Sequence, residues 1–524
     1  MATPDSAPIL PGEERRWRQA IILASLYSLI VATGMWHHEM WRDEWQAWML
    51  ARDVSSLAEL IGYLLVEGHL PGWSALLYLL GMATRDPVAM QVTHLALASG
   101  AAYLLGRFAP FSLKTRVLIA SGYFVAYEYA VIARPYALGM LALFMFCAFY
   151  PRRSRHPVII AASLALLAVS SIYGLIVAGV ACGLLLLEAY LGAPDEEVPH
   201  RRRLVTGLGL AVWVIAVALA TISSVAFAEG RPPGMWGASG VAPLRPWAIA
   251  STMTSITQAY LPVPDVLAPH LWGSHLVPVD TRLPLFLVAG IGGVLLILTT
   301  ILLLQTPSIL AFYLASTGGI LLFGHLVFSG FLRHHGSLYL VFIASLWMSA
   351  GSRPRWAPPA RLRGWVGSGA WWRTPVVTAI LGIQVASAAL LYWADLRRPF
   401  SAAPAAAQFI RDRGLEELPM AAIPAPTASS IAGLLDRPVH YFVLGSEATF
   451  IPWNRLSRSA DAEVSMERMR PFIEAQEGGP MVVILGEPFD AWDYGLVVEE
   501  LARFEPGLER REGFVLYLVG VGNP

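Results

Sequence analysis

Apolar runs long enough to cross a lipid bilayer as single helices recur along this chain up to residue 394. They constrain its fold more than any other feature, since a span needs about 17–25 mostly apolar residues. Eleven are read: about 19–36, 88–106, 117–133, 135–150, 157–173, 175–191, 204–226, 284–304, 308–329, 337–350 and 374–394. A bilayer offers no water to backbone polar groups, so such runs must be helical. Composition agrees: 56% of the 524 residues are hydrophobic and 14% charged, more apolar surface than one soluble core can hide. The first run reads as a retained anchor, because it is too long for a typical signal sequence and no small-residue cleavage site follows it. Lys and Arg together equal Asp and Glu at 37 each, so no basic face invites a nucleic acid, and no such partner is expected. Cys147 and Cys182 both lie inside apolar runs and read as small core residues.

Basic residues cluster on cytoplasmic loops. Here they cluster at Arg15, Arg16 and Arg18, at Arg107, Lys114 and Arg116, at Arg152, Arg153 and Arg155, at Arg201 to Arg203, and at Arg353, Arg355, Arg361, Arg363 and Arg373. Alternating spans put all of these on one side. The expectation is a multi-pass protein of the cell (inner) membrane, with its N-terminus cytoplasmic and its C-terminus outside. The apolar segment 71–84 breaks that parity and is expected to lie horizontally or re-enter.

Two domains follow. Residues 1–394 form the membrane part, with outer loops 37–87 and 227–283. Residues 395–524 form a small extracytoplasmic α/β domain with a largely parallel sheet. Its strand candidates are 419–424, 440–443, 480–486 and 514–520, and its helix candidates 404–413, 427–435 and 461–475. No phosphate-binding glycine loop occurs in it.

The acidic residues of the membrane part gather just after the first span, in HHEMWRDEWQAWMLARD and then VEGHLPGW. A plain reading is a solvated helix held at the interface by Trp36, Trp41, Trp45, Trp48 and Trp73. The sharper reading is a catalytic carboxylate at the membrane surface. Asp43 and Glu44 are adjacent, so on a helix they point about 100° apart. One would meet a substrate, and the other a metal or an orienting partner. Glu67 and His69 form a second candidate pair. With Glu44 they are the candidate ligands for a divalent metal, the one cofactor the sequence leaves open.

Two further clusters lie at the same face. Glu128 and Arg134 sit in YEYAVIARPY, where ionisable groups at membrane depth are costly and usually functional. Arg333, His334 and His335 sit in SGFLRHHGSLYL and suit an anionic headgroup. The plain alternatives are a structural ion pair for the first and interfacial snorkelling for the second. The loop 227–283 is expected to carry an amphipathic helix near 246–260.

These pieces together resemble the GT-C membrane glycosyltransferases, most nearly the protein O-mannosyltransferase and aminoarabinose transferase-like group. The resemblance rests on RDEWQAW (42–48), ARD (51–53), EGHLPGW (67–73), ARPYALG (133–139) and LRHHG (332–336). The tail resembles that of uncharacterised bacterial members at PFSAA (399–403) and ASSIAGLLDRPV (428–439). It implies transfer of a sugar from a polyprenyl-phosphate-linked donor, with inversion, to an acceptor glycan, lipid or protein at the outer face. It also implies that Asp43 is the general base, with Glu44 beside it. Arg134, Arg333, His334 and His335 would bind the donor phosphate, and Arg52, Asp53, Glu67, His69 and Glu128 would support. The chain departs from the usual His-Pro-Pro or Lys-Pro-Pro element, having His69-Leu70-Pro71-Gly72. Two other classes stay open: a lipid or solute transporter, and a non-catalytic scaffold with an outer binding domain. Charges gathered at one face and the lack of an internal repeat speak against the first.

Overall fold

A computed structural model describes residues 11–191, then 244–451 apart from 278, 280, 353, 355, 358, 368, 424, 443 and 444, then 462–475, 479–489 and 495–521, with isolated positions between 207 and 218. The expected span 204–226 and loop residues up to 243 lie largely outside these. The protein is mostly helical, with a small sheet domain at its C-terminal end.

Five helices are long and apolar enough to cross a membrane: Gly12–His37, Val88–Phe108, Arg282–Leu303, Pro307–Leu326 and Arg373–Asp395. Tyr136–Arg152, Pro157–Ser170 and Ile172–Glu188 are apolar but shorter. In chain order the first elements are α1 (Pro11–His37), α2 (Arg42–Asp53), α3 (Leu57–Glu67), α4 (Pro71–Gly81), α5 (Val88–Phe108), α6 (Leu113–Ala120), α7 (Tyr136–Phe149), α8 (Pro157–Ser170) and α9 (Ile172–Leu191). Then come α10 (Pro246–Tyr260), α11 (Arg282–Leu303), α12 (Pro307–Leu326), α13 (Leu332–Ala350) and α14 (Arg373–Asp395). With 11 residues, α4 is too short to cross on its own, since a helix rises about 1.5 Å per residue. The 246–260 segment is a helix, with Thr254 to Thr257, Ala259 and Tyr260 buried and Trp247 and Ile249 exposed.

One expected span is not a helix. Residues 117–133 divide into the end of α6, one turn of π-helix at Tyr123–Glu128 and an irregular stretch to Arg134. Irregular backbone at this depth is tolerated where protein groups satisfy it. Here Tyr27 donates to the Val125 carbonyl at 2.5 Å. His94 on α5 lies between the carbonyls of Ala130 and Arg134, at 3.1 and 3.0 Å. The Ala133 N–H donates to Glu44 at 2.6 Å. All three partners are distant in sequence, so a hydropathy window cannot see the break.

The C-terminal domain carries α15 (Ala403–Asp412), α16 (Ser429–Leu435) and α17 (Ala462–Ala475) around a six-stranded sheet. The strands are β1 (Met420–Ile423), β2 (Val439–Tyr441), β3 (Ser446–Ala448), β4 (Met481–Leu485), β5 (Leu496–Phe504) and β6 (Phe514–Val521), in the order β3-β2-β1-β4-β6-β5. The sheet is mixed, and the expectation of a largely parallel one fails. Only β1–β2 and β1–β4 run parallel; β2–β3, β4–β6 and β5–β6 are antiparallel. The segment between β5 and β6 is shorter than the dozen or so residues that a parallel crossover needs. The two strands not expected are the edges, β3 and β5, whose residues are part-exposed or exposed and carry no apolar run longer than three.

The two parts are joined over a wide contact. Phe400 and Leu508 belong to the same buried core as the membrane helices. A second cluster joins α2, α3 and α4 to Phe450 of the tail domain.

Candidate functional site

Asp43 and Glu44 lie in the first turn of α2, where a helix favours negative charge. They point apart, as their adjacency requires. Asp43 faces a cleft. Its Oδ2 lies 3.0 Å from Arg134 Nη1 and 3.5 Å from Arg333 Nη2, and its Oδ1 lies 4.0 Å from Arg42 Nε. The Asp43 side chain is 28% exposed, while those of Arg134 and Arg333 are 11% and 10% exposed. Burial alone would raise the Asp43 carboxyl; Arg134, Arg333, Arg42 and His69 outweigh it and hold it below its ordinary value. The Nε of Arg134 and that of Arg333 are buried with no hydrogen-bond partner among the described residues.

The cations are gathered by an aromatic floor. The guanidinium carbons of Arg333, Arg134 and Arg42 lie 5.3, 5.9 and 5.9 Å from the Trp41 ring, within cation–π reach. Trp41 is fully buried and meets Trp272 edge-on at 4.9 Å. Arg333 also lies 5.5 Å from Trp272 and 4.8 Å from Phe331. Gly336, one turn on, lets α13 approach this floor, since a Cβ there would overlap Phe124 and Tyr129. The Tyr129 hydroxyl donates to the Arg333 carbonyl at 2.5 Å. A slot lined by Tyr129, Tyr136, Tyr173, Ser170, Ser171 and Ser337 leads from here between α7, α8, α9 and α13, where Met140, Leu143 and Leu340 line it. Tyr136 lies near enough to Arg134 to act on its charge.

Glu44 has another task. It is wholly buried and accepts from the N–H groups of Ala133 at 2.6 Å and Trp41 at 3.3 Å. His38 Nε2 lies 3.1 Å from it, and His38 Nδ1 3.0 Å from Asp395, which also accepts from Tyr127 at 2.9 Å. Burial would discharge His38, but Asp395 and Glu44 on its two sides outweigh it and hold its pKa well above the usual histidine range. The expectation that Glu44 joins Glu67 and His69 as a metal ligand is therefore corrected: Glu44 ties α2 to the irregular stretch before Arg134 and, through His38, to the end of α14. Among the described residues no three His, Cys, Asp or Glu side chains are placed to hold a metal. Glu67 lies 3.0 Å from His69 Nδ1 and accepts from Gln46 at 3.3 Å. His69 is half-exposed and near enough to Asp43 and His334 to act on their charge.

Other expected site residues are placed elsewhere. His335 turns away from the cleft: Gln258 lies 2.7 Å from its Nδ1, and Ser329 O and Ser255 Oγ lie 2.9 and 3.2 Å from its Nε2. His334 accepts from the Phe331 N–H at 2.8 Å and packs among Tyr136, Tyr173 and Phe328. Glu128 is buried and accepts from Tyr123 at 2.6 Å and Trp272 at 2.9 Å, so it fixes the floor and is not paired with Arg134. Arg52 and Asp53 belong to the seam with the tail domain. Arg52 holds Asp53 at 2.7 and 2.6 Å and Asp436 at 2.8 Å, and Thr449 donates to Asp53 at 2.5 Å.

Sequence reasoning left Arg42, Trp272 and His38 without a role and read Trp41 only as an interfacial anchor. The repeated tryptophans beside arginines were the one available signal. No family model matches the chain, and no curated protein matches it.

Proposed function

We propose that this chain is a polyprenyl-phosphate-sugar-dependent glycosyltransferase of the GT-C kind, working at the outer face of the cell membrane. One observation carries the reading: a single carboxylate, Asp43, sits between two largely buried arginines, Arg134 and Arg333, whose Nε atoms have no partner. On this reading the three shorter apolar helices, α13, the broken stretch from α6 to Arg134 and the segment 204–226 join the five long helices to make about eleven crossings.

Glycosyl transfer from such a donor breaks the bond between the anomeric carbon and the phosphate oxygen. The departing phosphate gains negative charge, and fixed guanidiniums aimed at it stabilise that charge. The acceptor's oxygen or nitrogen forms the new bond from the opposite face, and its proton passes to Asp43.

Asp43 now occupies the position that suits a phosphate, and its arginines make it a weak base. Donor phosphate engaging Arg134 and Arg333 would release the carboxylate and restore its basicity. Donor before acceptor is therefore the order of binding. The test is transfer from labelled polyprenyl-phosphate sugars in membranes holding the wild-type chain or Asp43→Asn. The substitution keeps the shape and removes the base, so turnover falls about 10²–10⁴-fold. Unchanged turnover sinks the reading.

A further inference from the structure

The tail domain reaches the cleft through residues 505–513, the loop between β5 and β6. The loop is firmly seated. Leu508 is fully buried among the membrane helices, its carbonyl accepting from the Trp272 N–H at 3.3 Å and its N–H donating to Pro399 at 2.9 Å. The Glu509 N–H donates to Phe400 at 3.1 Å, and His270 lies 3.0 Å from the Gly507 carbonyl. Gly507 lies so close to Pro399 that a Cβ would overlap its carbonyl.

This loop presents Arg511. Its guanidinium carbon lies 5.6 Å from the centroid of the Phe331 ring, the ring that also carries Arg333 at 4.8 Å. Glu509, whose side chain is 4% exposed, spends both oxygens on it: one accepts from the Arg511 N–H at 2.7 Å, the other from its Nε at 3.0 Å. A buried carboxylate is costly and a weak source of stability; this one serves to aim an arginine. The arginine itself is 47% exposed, and among the described residues its two Nη groups have no hydrogen-bond partner. Arg42, which lies 4.0 Å from the other oxygen of Asp43, likewise has no hydrogen-bond partner at its Nη groups among the described residues. Positive charge therefore continues from Arg134 and Arg333 out to the rim, beyond what one phosphate between those two needs.

We propose that Arg511, with Arg42 and the Phe331-facing side of Arg333, forms a second anion subsite at the mouth of the cleft, built across the two domains. It takes a second phosphate or carboxylate group, carried either by the lipid donor or by the acceptor. This rests on the reading of Arg134 and Arg333 as the first phosphate site.

The experiment uses the full chain in phosphatidylcholine nanodiscs and follows binding through tryptophan fluorescence. Farnesyl phosphate and farnesyl diphosphate are titrated separately. Inorganic phosphate is then titrated onto protein saturated with farnesyl phosphate. Arg511→Ala is expected to bind farnesyl phosphate like wild type. A loss of roughly 10-fold for the diphosphate, the size of one charge-assisted contact, places the second anion on the donor. A like loss confined to the added inorganic phosphate places it on the acceptor. Either loss supports the subsite, and Arg511→Lys should recover part of it. Wild-type behaviour of Arg511→Ala in all three titrations overturns it. Glu509→Gln, which frees the arginine without removing its charge, should weaken the second anion less than Arg511→Ala does. Arg134→Ala separates the two readings: loss of farnesyl phosphate binding there supports the first site whatever Arg511 does, and its retention refutes that site and this one together.

Discussion

Asp43 and Glu44 are neighbours with opposite duties, and single substitutions should separate them. In Asp43→Asn the internal competitor for Arg134 and Arg333 is gone. Binding of polyprenyl phosphate should tighten roughly 5-fold, since a part-exposed ion pair is worth about 1 kcal/mol, while transfer collapses. Equal or weaker binding in a nanodisc titration would show that Asp43 does not stand in the phosphate position. Glu44→Gln places an amide where His38 and two backbone N–H groups all donate. Breaking such a buried set costs about 3 kcal/mol or more. It should appear as a fall in melting temperature, with turnover per folded molecule little changed. The sequence made Asp43, Arg134 and Arg333 legible because ionisable groups are scarce at that depth. It could not separate Glu44 from Asp43, because the difference lies in Ala133 and Asp395, which are remote in the chain. His335 misled for a related reason: a histidine beside an arginine looks like an anion ligand until its ring is seen bonded to α10.

The elements that fix the site are held by the tail domain. The switch point of the parallel strands, between β1 and β4, is where open α/β sheets commonly bind ligands. Here the adjoining helix α16 packs on α2. Gly433 of α16 lies against Trp45, whose ring an added Cβ would overlap. Gly433→Ala should cost about 1–3 kcal/mol by overpacking, lower the melting temperature and loosen the tail. A melting curve like that of the wild type would show that the seam yields freely. Glu512 sits in the same seam. It accepts from the Arg42 N–H at 3.2 Å, from Ser401 at 2.6 Å and from Ser430 at 2.9 Å. Burial pushes its pKa up to about 7, from an ordinary 4.5. The folded chain therefore keeps a proton that the unfolded chain releases first, so this group's stabilisation is full below about pH 4.5 and is lost as pH rises towards 7. The loss across that window is about 3 kcal/mol, at about 1.4 kcal/mol per unit. Glu512→Gln should flatten that part of the stability–pH curve; an unaltered slope would exclude Glu512 as its source. The central strands β1, β2, β4 and β6 were legible as short apolar runs. The edge strands β3 and β5 were not, because their register comes from neighbours and not from a pattern of their own.

At the scale of the whole molecule, long apolar runs at 19–36, 88–106, 284–304, 308–329 and 374–394 matched helices able to cross a membrane. The run at 117–133 did not, since side chains from α1, α2 and α5 satisfy its backbone where a helix otherwise would. The pattern of basic loops predicts that a reporter fused to the C-terminus is active only outside the cytoplasm, and one inserted at residue 112 only inside. A cytoplasmic C-terminal signal would put the cleft on the wrong face for an outer-leaflet donor. The most direct measurement is a structure of the chain with polyprenyl phosphate bound. The account predicts the phosphate between Arg134 and Arg333, with Asp43 displaced from both and turned toward the cleft mouth. A phosphate bound elsewhere, with the Asp43 ion pairs intact, would contradict it.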